Sequence, residues 1–141
     1  MKTPTSQLTQ RVARPLAMAI AAGRTALGVA AIATPDRPLR PWVGSLADDR
    51  RAVALARALG GRDIAIGVAA LYELRNPDRD SSGAKTMVAL GGLADAVDVA
   101  ATLLAFGSLP KKSRWLILAA AGGSAVASAM SVRHMGGKSA I

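Results

Sequence analysis

From Trp115 to Val132 the chain runs without a single charged side chain. A segment of this length and composition predicts a helix that crosses a bilayer core, which needs roughly 20 apolar residues. Three further apolar segments precede it, at 16–34, 52–74 and 86–109. Pro15 opens the first and Pro35 closes it, in keeping with proline's tolerance at a helix start and its exclusion beyond the end. Together they predict an all-α fold, a four-span antiparallel transmembrane helical bundle. A basic N-terminal arm (1–14) would precede the four-helix domain (15–132), and a short tail (133–141) would follow it.

Composition supports lipid rather than water as the solvent. Hydrophobic residues make up 51% of the chain but aromatics only 3%, and mean hydropathy is +0.30. Much of the apolar content is Ala and Gly, so the large side chains that fill a water-soluble core are scarce, whereas small residues suit helices packed closely in a membrane. Net charge is +9, which in a soluble chain would favour nucleic acid. Here Arg11, Arg14, Arg50, Arg51, Lys111, Lys112 and Arg114 flank the apolar segments, and few aromatics are present to stack on bases. Anionic lipid headgroups are therefore the expected partner, and nucleic acid is not. The chain has no Cys and one His, which removes disulfides, thiolate sites and multi-histidine metal sites from consideration; no cofactor or metal is expected.

The connecting segments carry ordinary loop signals. Pro35, Pro38 and Pro41 mark 35–51 as a loop with Trp42 as an interfacial anchor, and Ser45 to Asp48 can start the next helix. Asn76-Pro77-Asp78 and Ser81-Ser82-Gly83 mark 75–85 as a second loop, and Pro110-Lys111-Lys112-Ser113-Arg114 is a tight basic turn. Four spans place both termini on one side. On that side lie Lys2, Arg11, Arg14, Arg75, Arg79, Lys85, Arg133 and Lys138; opposite are Arg37, Arg40, Arg50, Arg51, Lys111, Lys112 and Arg114. The small excess points to cytoplasmic termini by positive-inside counting. A cleaved signal peptide ending at Ala31-Ile32-Ala33 is the competing reading of the first span, against which stand Arg24 in mid-run and the length of the run.

The informative residues are the charges inside the apolar segments: Arg24, Arg57, Arg62, Asp63, Asp95 and Asp98. An ionised group at a helix centre costs about 2.5–3.5 kcal/mol even on lenient insertion scales, so each needs a partner or water. Helical spacing sets Gly91, Asp95, Asp98 and Thr102 on one stripe of the third segment. Gly60, Asp63 and Gly67 share a face of the second, and Ala17, Ala21, Arg24, Gly28 and Ala31 share one of the first. Gly28, Gly60, Gly67 and Gly91 are then packing positions that let neighbouring backbones approach. Arg62, about 100° from Asp63, must turn toward another helix, in the direction of the third segment. Arg57 lies nearer the interface, where it can snorkel. Three arginines against three aspartates would make the interior neutral. On the fourth segment Ala121, Ala125 and Ala129 form an uncharged ridge.

Two uses of such a set compete: salt bridges that fix helix register, or a proton, ion or ligand site. Asp95 and Asp98 lack a nucleophile, a metal ligand set or a second acid motif, so the chain reads as non-enzymatic. Gly60-Gly61-Arg62 lacks the lysine and hydroxyl residue of a phosphate loop and reads as a packing site. His134 reads as a solvated tail residue, and Trp42, Tyr72 and Trp115 as belt residues.

The run Arg57, Gly60, Arg62, Asp63 and Gly67, followed by Asp95 and Asp98, resembles an uncharacterised family of small four-helix bacterial membrane proteins, a domain of unknown function. The resemblance extends from Leu16 to Val132. It implies a multi-pass protein of the bacterial cell (inner) membrane and no known chemistry. The expected role is helix packing, lipid binding or service as an accessory subunit, in a homo-oligomer or larger membrane complex; a transporter or channel subunit using the aspartates is the alternative.

Overall fold

The computed structural model describes residues 4–76 and 81–135. Among them the chain forms helices α1 (Pro4–Ala33), α2 (Asp36–Val43), α3 (Arg50–Arg75), α4 (Ser81–Leu104) and α5 (Lys111–His134), with a 3-10 helix at Gly44–Asp48 between α2 and α3. The described residues contain no strand, and the all-α expectation is met. Three helices are long and apolar enough to cross a membrane: Val12–Ala33 of α1, Ser81–Leu104 and Lys111–His134. Helix α3, interrupted by Arg57, Arg62 and Asp63, has the length but falls outside that group.

The four long helices lie side by side. Gly28 meets Gly60 while Thr25 and Ala21 meet Gly67, so α1 and α3 run antiparallel. In α4 and α5, Asp95 meets Ser124 and Gly92 meets Ser128, again antiparallel. The buried positions explain this packing. They fall at 13, 17, 21, 24 and 28 in α1, at 56, 60, 67, 70 and 74 in α3, and at 84, 88, 91, 94, 95 and 102 in α4. Spacings of mostly three, four and seven keep one face of each helix inward.

What fills that inward face is small. The largest fully buried side chains among the described residues are Leu74, Thr102, Ser128 and Ser131. Leu27, Val29, Leu55, Val68, Leu93, Val97, Leu116 and Val126 are all exposed. This inverts the arrangement of a water-soluble domain, whose large apolar residues point inward. A Cβ on Gly28 would lie 2.6 Å from the Gly60 carbonyl oxygen, and one on Gly60 would lie 2.7 Å from the Gly28 carbonyl oxygen. The two backbones touch because neither residue has a side chain.

Several boundaries differ from the sequence-based expectation, each for a physical reason. Helix α1 begins at Pro4, itself a favoured first helical residue, and passes through Pro15 rather than starting there. Pro15 withholds a backbone donor, a defect that costs about 3 kcal/mol in a helix interior. Tertiary packing on both sides offsets it: Ala13 and Ala17 pack with Leu74, Val88 and Met135. The Arg14 guanidinium also donates to the Leu74 carbonyl, with Nε at 2.9 Å. Residues 4–14 therefore belong to the first helix, not to a separate arm; residues 1–3 of the arm, and 136–141 of the tail, lie outside the described residues.

The proline-rich stretch 35–51 is helical too. Pro38 falls in the first turn of α2, where a backbone N–H would have no intrahelical partner, Pro41 lies inside the same two-turn helix, and Leu39 is buried with Ala47 and Ala56. The cap of α3 is Asp49, whose side chain accepts from the Arg51 N–H at 2.7 Å. Helix α4 starts at Ser81 and ends at Leu104, five residues earlier at each end than 86–109. Gly83 in its first turn lies against the Glu73 carboxylate of α3. Of the second loop, residues 77–80 lie outside the described residues. The basic turn at 111–114 is the first turn of α5.

Gly44 closes α2 with φ +64°, a left-handed value open to glycine and strained for other residues. A Cβ there would stand 3.1 Å from Pro110 Cγ. Gly44→Ala is expected to destabilise the protein by about 1–2 kcal/mol through backbone strain, as read by denaturant titration in detergent micelles.

Candidate functional site

Arg24 sits in the middle of α1 on the same stripe as Ala17, Ala21 and Gly28, so the helix aims it at the interior. Its side chain is only 7% exposed. Nη1 lies 3.0 Å from Asp63 Oδ1 on α3, and Nη2 lies 2.6 Å from Asp95 Oδ1 on α4. Nη2 also donates to the Gly91 carbonyl at 2.9 Å. Gly91 lies directly against the guanidinium: a Cβ there would meet Arg24 Nε at 3.4 Å, an ordinary contact.

Arg62 extends the network. It donates to Asp63 Oδ1 through both Nε and Nη2, each at 3.2 Å, and its Nη2 reaches Asp98 Oδ2 on α4 at 3.1 Å. The turn of Arg62 toward the helix that carries Asp98 is as the sequence predicts, but it also folds back on its own neighbour Asp63. On α5, the Ser124 hydroxyl donates to Asp95 Oδ2 at 2.6 Å. The result is an alternating chain in space, Asp95–Arg24–Asp63–Arg62–Asp98, with Ser124 bonded to one end.

Arg57 is not part of it. It is exposed and its Nε donates to the Ile32 carbonyl at 3.3 Å, tying α3 to the end of α1. Without Arg57 the expected neutral balance of three against three becomes two guanidiniums against three carboxylates. An alternating chain with a carboxylate at both ends must carry that excess. Asp95, at one end, has both oxygens satisfied by Arg24 and Ser124. At the other end, Asp98 Oδ2 is held by Arg62, while Oδ1 accepts no hydrogen bond among the described residues.

Above the network lies a cavity of about 440 Å³ that reaches all five helices. Its walls are apolar, with Leu27 from α1, Trp42 from α2, Leu59 from α3 and Ile117 from α5; Arg24, Asp63, Asp95, Asp98 and Ser124 contribute the polar floor. Gly23 and Leu27 on α1 and Ala120 on α5 are exposed and belong to the same wall, so the cavity opens between those two helices. Trp42, expected as an interfacial anchor, is half-buried and lines this space.

Gly28, Gly60 and Gly67 serve packing as expected, all at the α1–α3 contact: a Cβ on Gly67 would come 2.8 Å from the Ala21 carbonyl oxygen. Ala121, Ala125 and Ala129 do not form the inward ridge of α5, because Ala129 is exposed and Ser128 and Ser131 are buried. Ser124 was not singled out by the sequence reading. Its signal was present: Ser124, Ser128 and Ser131 recur at spacings of four and three on a helix otherwise free of charge. Arg114 turns away from the basic surface, donating to the Phe106 carbonyl at 2.9 Å and stacking 4.2 Å from that ring's centroid. Tyr72 and Trp115 are exposed, as is His134.

No group of three or more His, Cys, Asp or Glu among the described residues is arranged to hold a metal ion. Comparison with protein-family models, with curated proteins and with solved structures gives no match.

Proposed function

We propose that this chain is a four-span integral membrane protein of the bacterial cell membrane, with a non-catalytic role in binding or in supporting a membrane assembly. The observation that carries the reading is Arg24, buried among small residues and paired with carboxylates from two other helices. Such an arginine is affordable in lipid only when paired, and pairing locks the register of three helices together. The outward-facing Leu and Val residues supply the lipid contact, and exposed Arg50, Arg51, Lys111 and Lys112 supply headgroup contact. Helix α3 lacks the hydropathy of its neighbours and crosses because its charges are satisfied internally.

Membrane fractionation tests this directly. The full chain is expected to resist alkaline carbonate and to require detergent for release; recovery in the soluble fraction overturns the reading. Native mass spectrometry of the gently extracted protein then reads stoichiometry, retained lipid and co-purifying subunits. The cavity over three carboxylates favours one alternative, a transporter or channel subunit. Flux in proteoliposomes that is abolished by Asp95→Asn with the melting temperature retained would establish transport, whereas absence of flux in the unaltered protein supports the binding or supporting role.

A further inference from the structure

We infer that the cavity between α1, α2 and α5 is a binding site for a lipophilic organic monocation, an ammonium or phosphonium centre carried on an apolar body. The inference rests on the membrane reading above and adds the ligand's chemical class. Three observations carry it. The volume, about 440 Å³, is within the range of about 300–1,000 Å³ that small-molecule sites occupy. The walls are apolar and open between exposed Leu27 and Ala120, which suits a ligand that arrives from the hydrocarbon phase. The floor carries the unbalanced charge: the ion-pair chain sets two guanidiniums against three carboxylates, Arg24 and all three aspartates line the cavity, and Asp98 Oδ1 at the end of the chain has no partner among the described residues.

Charge decides the sign of the occupant. An anion would meet an acidic floor whose arginines are already committed, and a neutral body would leave the excess uncompensated in a low-dielectric setting. A hard metal ion needs several converging oxygen ligands, and the three carboxylates are spread along the ion-pair chain rather than gathered into a metal-binding group, while the walls of Leu, Ile and Trp add no oxygen. A diffuse organic cation pays little desolvation, fills the apolar volume and neutralises the floor. Trp42 adds a ring face on which such a cation can rest.

The test uses the full chain in detergent micelles with tetraphenylphosphonium, and with tetraphenylborate as an anion of the same shape. Saturable binding of tetraphenylphosphonium is expected, without saturable binding of tetraphenylborate. Asp98→Asn is expected to weaken the cation about tenfold, as loss of one partly desolvated charge contact would. Gly23→Phe provides a second route: a Cβ at Gly23 meets nothing within 4 Å, so the ring can enter the cavity without displacing backbone. That variant is expected to abolish binding at an unchanged melting temperature. Equal uptake of the two ions, undiminished binding in folded Gly23→Phe, or no saturable cation binding, which would leave a proton as the sole counter-charge, each overturns the inference. A chain that is released from membranes by carbonate fails earlier, at the membrane reading itself.

Discussion

Asp95→Leu is expected to destabilise the protein by about 3–5 kcal/mol, because it strips Arg24 of its shorter contact and leaves a guanidinium buried with one carboxylate instead of two. The Ser124 hydroxyl also loses its acceptor. Arg24→Leu is expected to do comparable damage from the other side, leaving Asp95 with Ser124 alone and the Gly91 carbonyl without its donor. The double variant Asp95→Leu/Arg24→Leu should recover part of the sum, by about 0.5–3 kcal/mol, since neither charge is then stranded. The readout is a denaturation series in detergent micelles on all four proteins. Strict additivity would mean that the two residues do not act as a pair.

The second large effect is steric. Gly28→Val is expected to force α1 off α3, because the first added carbon would stand 2.6 Å from the Gly60 carbonyl oxygen and 2.9 Å from the Ile64 nitrogen. Neither neighbour is the free end of a flexible side chain, so the backbones must move. Overpacking of this kind costs about 1–3 kcal/mol and more where backbone must shift. Here it would also lengthen the Arg24–Asp63 contact, which spans the same two helices. Gly61→Val makes the matching control, one position after Gly60 but with nothing within 4 Å of its added Cβ. A melting temperature that falls for Gly28→Val and holds for Gly61→Val fits the contact; equal effects from both would contradict it.

The sequence revealed the heart of the site and missed its edges. Arg24, Asp63 and Asp95 were legible because each lies on a stripe of small residues with helical spacing, and because a charge in such a stripe must find a partner. The direction of Arg62 followed from simple angular bookkeeping. Arg57 is set apart by its place nearer the interface, but its partner is not legible: register puts it against the Ile32 carbonyl near the end of α1. Register between helices is a property of packing, and no single segment encodes it. Ser124 was hidden for a different reason: serine is common in membrane helices as a small residue, and only its neighbour Asp95 makes it a donor of consequence.

Proline misled twice, in opposite ways. At Pro15 it predicts a helix start, whereas the flanking Ala13, Arg14 and Ala17 are held from outside by Leu74 of α3, Val88 of α4 and the C-terminal end around Val132 and Met135. At Pro38 and Pro41 it was read as loop, whereas two short helical pieces bring Leu39 and Trp42 over the cavity. In both cases local propensity was outweighed by contacts to residues far along the chain.

For the proposed four-span protein, the Arg24 contacts carry a consequence for biosynthesis in the membrane. Arg24 emerges early, but Asp63 follows 39 residues later and the Gly91 carbonyl 67 residues later. At synthesis rates of about 5–20 residues per second, the guanidinium waits about 2–8 s for its first carboxylate. Through that interval the first helix carries an unneutralised charge, so its commitment to the bilayer is provisional. On the four-span reading, delivery of α3, which falls outside the helices apolar enough to cross alone, settles both at once: each helix supplies the counter-ion that makes the other's insertion favourable.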